Sequence, residues 1–180
     1  LRVLRRHART YATQGVGALA MTLVRSARQA VIPLWCAWNG LSAAHTSLIY
    51  ALSMSFDVAL FFVGGILMDR FGRLWVSAPC LVVMGTAMIL LPLSHSTAEI
   101  ALAASLLGLG NGVSAGVVMT IGSDASPSEA RTTFLAGWRL MSDGGSMLGP
   151  VVISAISAVA PLAVAPVAVG VLGLGGAAWL

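Results

Sequence analysis

The sequence predicts an all-α, polytopic transmembrane bundle of six helices. Three observations carry this. Hydrophobic residues fill 58% of the 180 positions and charged residues only 9%, against about 25% charged in an ordinary soluble domain. A soluble fold of this length lacks the interior to hide so much apolar surface, and the mean hydropathy of +0.92 points the same way. Apolar runs close to the ~20 residues that cross a hydrocarbon core recur along the chain, separated by short polar breaks.

The elements follow in order. Residues 1–12 form a basic segment with Arg2, Arg5, Arg6 and Arg9, and no signal-peptide cleavage site follows it. The first helix is expected near 13–38 and ends at Asn39-Gly40 and Ser42. The second, near 44–68, gives way to a polar turn from Asp69 to Arg73. The third, near 74–93, carries no charge and closes at Pro92 to Ser96. The fourth, near 99–122, is rich in glycine. The longest polar loop, Ser123 to Arg131, precedes the fifth helix near 132–158. The sixth, near 161–180, starts at Pro161, a residue suited to a first helical turn. Residues 13–180 thus form one six-helix domain.

All ten basic residues are arginine. They lie between apolar runs rather than in one patch, which excludes a nucleic-acid surface. Loop arginines set orientation. Those at 2–9, at 70 and 73, and at 131 share one side of a six-helix bundle, which is read as cytoplasmic. The opposite loops contain none. Trp35 and Trp38 fall near the outer interface and Trp75 near the inner one. Cys36 and Cys80 have no metal or redox spacing. His7, His45 and His95 lie at helix ends or loops. No metal site, cofactor or nucleophile with an evident base is expected, so no enzyme activity is.

Ionisable groups within the runs are the candidates for function, because charge in a bilayer is costly and faces a bundle interior or a water-filled cavity. At about 1.5 Å per residue, Arg25 lies about 18 Å into the first helix. Asp57 and Asp143 each lie about 16 Å from an end of theirs, so all three share one depth of a ~30 Å core. Arg25, Arg28 and Gln29 are placed on one helix face, and Arg139 and Asp143 are spaced to pair. Two readings stand: an ion-pair network that only holds helices together, or a polar binding site at mid-membrane. In the second, Asp57 and Asp143 are proton carriers if they face apolar walls, and a neighbouring arginine argues against that role. Gly108, Gly112 and Gly116 recur every four residues, a pattern that permits close helix approach, and Asn111 between them is a further candidate for the polar site.

The stretch Gly65-Ile66-Leu67-Met68-Asp69-Arg70-Phe71-Gly72-Arg73 resembles the signature loop of the major facilitator superfamily, G-x-L-x-D-R-x-G-R, and falls where that family has it, between second and third helices. Leu74 stands where the pattern often has another basic residue. Gly65 is expected to allow close helix approach, Gly72 a tight turn, and Asp69 to accept hydrogen bonds from a helix N-terminus. Arg70 and Arg73 are expected to pair with acids such as Asp124 or Glu129. Asp124 to Arg131 is similar to the family's loop after the fourth helix. Gly145 to Pro150 is similar to its G-x-x-x-G-P element, with Gly145, Gly149 and Pro150 serving packing and a bend.

The resemblance implies two inverted three-helix repeats and a secondary active transporter of a small solute working by alternating access. Proton coupling and efflux or antiport are favoured. The site would comprise Arg25, Arg28, Gln29, Asp57, Asn111, Arg139 and Asp143, and the loop from Gly65 to Arg73 would gate the cytoplasmic side with Asp124 and Arg131. The implied partners are the bilayer of a cell membrane, the solute, a proton and a missing other six-helix half. The chain begins at Leu1 and stops within an apolar run, so it is expected to be a fragment, and the C-terminal half is favoured over the N-terminal one. The alternative function is a non-transporting membrane scaffold or assembly protein.

Overall fold

A computed structural model of the chain describes residues 6–180, so Arg2 and Arg5 of the basic segment lie outside the described residues. The described residues are mostly helical, with no strand among them. A short turn at Ala8–Thr10 and a π-helical stretch at Tyr11–Gly15 lead into α1, Val16–Trp38. There follow α2 (Ala43–Phe71), α3 (Arg73–Leu90, extended by a 3-10 turn at Leu91–Leu93), α4 (Thr97–Val113), α5 (Val117–Asp124), α6 (Arg131–Val159) and α7 (Val164–Trp179). Ala43–Phe71, Arg73–Leu93 and Thr97–Asp124 are long and apolar enough to cross a membrane by length and composition, and Val164–Trp179 is a shorter apolar helix. With α4 and α5 as two pieces of one span the long helices among the described residues number six, and α1 and α6 are not among those long and apolar enough to cross by that measure.

Local chemistry sets the breaks. Gly40 and Gly72 are the glycines with positive φ, at +72° and +91°. Gly72 also has ψ 156°, a conformation essentially reserved for glycine, and it turns α2 into α3 in a single residue. The Ser42 side chain accepts the His45 N–H at the start of α2. Ser96 and Glu99 form a reciprocal capping box at the start of α4, which satisfies donors that a helix start leaves unpaired.

Three expectations change here. The fourth span is interrupted at Ser114–Gly116 rather than continuous. The Ser114 hydroxyl turns back onto the Gly110 carbonyl at 2.7 Å, and the flanking glycines at 112 and 116 weaken helix propagation. The last helix begins at Val164, so Pro161 precedes its first turn, and its carbonyl accepts the Val164 N–H at 2.9 Å. Trp35 faces into the bundle rather than outward. It is buried and donates its indole N–H to the Ser94 carbonyl at 3.0 Å, which ties α1 to the turn before α4. Trp38 and Trp75 are exposed.

The bundle is held by three long pairings: α1 against α6, α2 against α4, and α3 against α7. In order of spans these are first with fifth, second with fourth and third with sixth. Exchanging spans one to three with spans four to six leaves that set unchanged. This is the symmetry that two related three-helix units produce. Short connections make successive spans antiparallel, so the first and fourth run oppositely and the units are inverted.

Small residues bring these pairs to backbone contact. A Cβ on Gly108 would collide with the Ser53 carbonyl, and one on Gly112 would stand 2.7 Å from the Asp57 carbonyl oxygen. Gly145 meets Thr22 and the Leu19 carbonyl, and Gly149 meets Ser26 and the backbone of Ala27. Gly116 touches only the end of the Met68 side chain. Gly65 makes no close approach: its Cβ position is open, and the neighbouring Gly64 is the one pressed on the Val113 carbonyl. Pro150 sits on the exposed side of α6 and does not interrupt it. Cys36 and Cys80 are buried free thiols that act as small apolar fillers.

Large apolar side chains cover the outside. Phe61 and Phe62 of α2, Trp75 of α3, and Leu140 and Met147 of α6 are exposed, a distribution that suits hydrocarbon rather than water.

Candidate functional site

The polar centre forms where α1, α2 and α4 meet. Arg28 is 1% exposed and Asp57 16%, and their ion pair measures 2.7 Å from Nη2 to Oδ2. Asn111 donates its amide to the other Asp57 oxygen at 2.7 Å. Arg28 Nη1 donates to the Ser53 hydroxyl at 3.2 Å, and that hydroxyl donates to the Ala104 carbonyl at 2.7 Å. One carboxylate is thus gripped from two helices, and the buried charges carry the hydrogen bonds that such burial requires. The contact of Gly108 and Gly112 with α2 is what lets Asn111 reach Asp57.

Arg25, one turn before Arg28, reaches a different part of the fourth span. Its Nη2 donates to the Ser114 carbonyl at 2.9 Å and contacts the Ser114 hydroxyl at 3.3 Å. It therefore caps α4 at the break, where the helix end carries partial negative charge. The interruption and the arginine belong together: the break presents a carbonyl, and the guanidinium fills it.

Other sequence candidates fall elsewhere. Gln29 is exposed on α1 and does not join Asp57. Arg139 and Asp143 do pair, at 3.2 Å, but both are 62% exposed on the side of α6 away from the cluster. Asp143 is level with the cluster by helix count yet lies outside it, because α6 turns Gly145 and Gly149 toward α1 and leaves Asp143 on the opposite side. Ser53 and Ser114 belong to the centre although they were not among the sequence candidates. Ser53 had a signal, since it stands four residues before Asp57 on the same face.

At the arginine-bearing end, Arg73 and Asp124 form an ion pair at 2.6 Å. The Nε–H is not aimed at the oxygen and has no aligned acceptor, so the contact is electrostatic. It joins the start of α3 to the end of α5 and walls a cavity of about 310 Å³ together with Gln14, Leu74 and Ile121. Arg131 donates to the Ser123 hydroxyl at 2.8 Å. Arg70 lies 5.6 Å from the Phe71 ring centre. Asp69 is exposed and accepts no hydrogen bond among the described residues. The expected helix N-terminus is not within its reach, because Gly72 swings α3 away. An apolar groove of about 440 Å³ beside Trp75 and Pro79 is lined without any charged side chain. No group of three metal-ligating residues exists among the described residues.

The family model of the Major Facilitator Superfamily matches residues 15–180. The chain belongs to the major facilitator superfamily. That match takes in the whole polar centre, the Gly72 turn and the Arg73–Asp124 pair. No curated protein matches the chain. As a member of the superfamily the chain is a multi-pass membrane protein of a transporter family, one whose members are transporters rather than enzymes. Lipid and a small solute are the partners this membership implies.

Proposed function

We propose that this superfamily chain is the C-terminal six-helix half of a secondary transporter that moves a small solute by alternating access, with protons as the coupling ion. The observation that carries the proposal is the cluster of Arg28, Asp57 and Asn111, a buried charge network joining three spans at mid-membrane depth. Transporters place binding and coupling sites at that depth, between repeats.

The residues divide into two roles. Asp57 is the coupling residue. The Arg28 guanidinium beside it favours the charged carboxylate, so Asp57 would take a proton only in a state where α1 has carried Arg28 away, and that proton would then keep the tie between α1 and α2 open. Arg25 and Gln29 are the groups of α1 that face the solute path in the full protein. The Arg73–Asp124 pair is the closure at the other level. It holds α3 to α5 on the side read as cytoplasmic from the loop arginines, and Asp69, Arg70 and Arg131 flank it. The membrane is the cell membrane.

A scaffold without transport requires every mid-membrane charge to be neutralised within the bundle. Arg28 and Arg139 have acid partners, but Arg25 pairs with no carboxylate among the described residues, which favours the transport reading. The test is solute flux in vesicles containing the full-length protein, with and without an imposed proton gradient. Flux should rise several-fold with the gradient in the driving direction and collapse when a protonophore is added. Equal flux under both conditions would end proton coupling.

A further inference from the structure

Arg25 forms no ion pair of its own among the described residues and shares the Asp57 charge with Arg28. Among the described residues the ion pairs are Arg28–Asp57, Arg73–Asp124 and Arg139–Asp143, and Arg25 bonds only the carbonyl and hydroxyl of Ser114. The centre therefore holds two guanidinium groups against one carboxylate. The end of α4 offsets part of the excess, since a helix C-terminus carries about half a negative charge. The remainder is uncompensated positive charge deep in the span, where an isolated cation is costly.

Three polar atoms at the centre are also unmatched. Arg25 Nε, Arg28 Nε and Asn111 Oδ1 are buried and have no hydrogen-bond partner. Buried polar groups are nearly always paired; Asn111 Oδ1 is an acceptor and Arg28 is fully buried, so Arg25 Nε is the donor left for an anionic group from outside the bundle. Arg25 is the accessible member, half-buried where Arg28 is fully buried. Its planar fork has donors to spare beyond the one Nη2 given to Ser114, and that fork matches a carboxylate in two parallel bonds.

We infer that the central site takes an organic monocarboxylate, with its carboxylate on Arg25 while Arg28 stays with Asp57. This rests on the transport reading above and adds the charge of the solute. A monoanion balances the centre: two guanidinium groups would then face two carboxylates. A neutral solute leaves the excess charge buried, and a cationic one increases it.

The test is thermal melting of the full-length protein in lipid nanodiscs with matched sets of probes: benzoate, benzamide and benzamidine, and naphthoate, naphthamide and naphthamidine. The carboxylates should raise the melting temperature and the amides and amidines should not. Arg25→Gln should weaken carboxylate binding about tenfold or more, as expected for loss of a charge-assisted pair. If Arg25→Gln does not fold, Arg25→Lys replaces it. That variant keeps the charge but loses the fork, and its binding should still weaken. The inference is overturned if no carboxylate shifts the melting temperature, if the amides or amidines shift it equally, or if the shift is unchanged in the arginine variant. Flux of the tightest carboxylate into vesicles separates the two readings. Binding without flux removes the transport proposal and leaves the anion site standing, whereas flux of neutral or cationic probes alone does the reverse.

Discussion

Replacing Asp57 with alanine should destabilise the protein by about 3–5 kcal/mol, the usual cost of stranding one member of a buried ion pair. Arg28 is 1% exposed and cannot turn to water. Its Nη2 would lose its acceptor, and the Asn111 amide would lose one as well. Two donors from two helices would then be left unmatched at the place where α1, α2 and α4 meet. The effect belongs to the unpaired charge and not to the missing volume. Removing both charges together in Arg28→Met/Asp57→Ala should therefore recover most of the loss, because apolar replacement of a whole buried pair is often neutral or better. Unfolding of the full-length protein in detergent, followed by tryptophan fluorescence, measures both. A cost under about 1 kcal/mol for the single variant would mean that Arg28 finds another acceptor.

The second large effect is at the glycine contact between α2 and α4. Gly112→Val should cost about 1–3 kcal/mol or more. The atoms it would strike are the carbonyl and Cα of Asp57 and the carbonyl of Phe56, and backbone cannot yield as a flexible side chain does. Gly65→Val is the matched control. Its Cβ position is open, so the change should stay within about 0.5 kcal/mol. Pushing the helices apart also lengthens the Asn111–Asp57 bond, so Gly112→Val should lower solute flux beyond its effect on stability. Melting temperature and flux per folded molecule separate these contributions. Equal costs for the two valine variants would place the helix contact elsewhere.

Much of the bundle was legible in the sequence. The apolar runs and their polar breaks fall near the helices and turns of the structure, since a helix that crosses a bilayer must satisfy its backbone internally over about 20 apolar residues. Gly72 and the pairing of Arg73 with Asp124 were legible because a one-residue turn needs glycine and loop charges have few partners. The centre was half legible. Asp57, Arg28 and Asn111 stood out as polar groups in apolar runs, but Asp143 looked equivalent to Asp57. Depth along a helix is read from residue count, whereas the side it faces depends on which neighbour it packs against. Here α6 commits Gly145 and Gly149 to α1 and leaves Asp143 outside. The same limit explains Gly65 and Gly64. A motif marks the neighbourhood, and one residue of helical rotation decides which glycine meets Val113. The break at Ser114 was hidden because glycine and serine are ordinary in packed membrane helices, and the Arg25 guanidinium that fills it stands 89 residues away in sequence.

The central claim is that the face of α1 bearing Arg25 and Gln29 lines a path opened in turn to each side of the membrane. Gln29 is exposed and makes no contact with the cluster, so it reports on that path without dismantling it. The decisive measurement is the labelling of Gln29→Cys, in the full-length protein with Cys36 and Cys80 replaced by alanine, by a charged, membrane-impermeant thiol reagent. Added to either side of sealed vesicles of known orientation, the reagent should react from both sides, and an imposed proton gradient should shift the balance between them. Reaction from one side only, or from neither, would contradict alternating access in this chain.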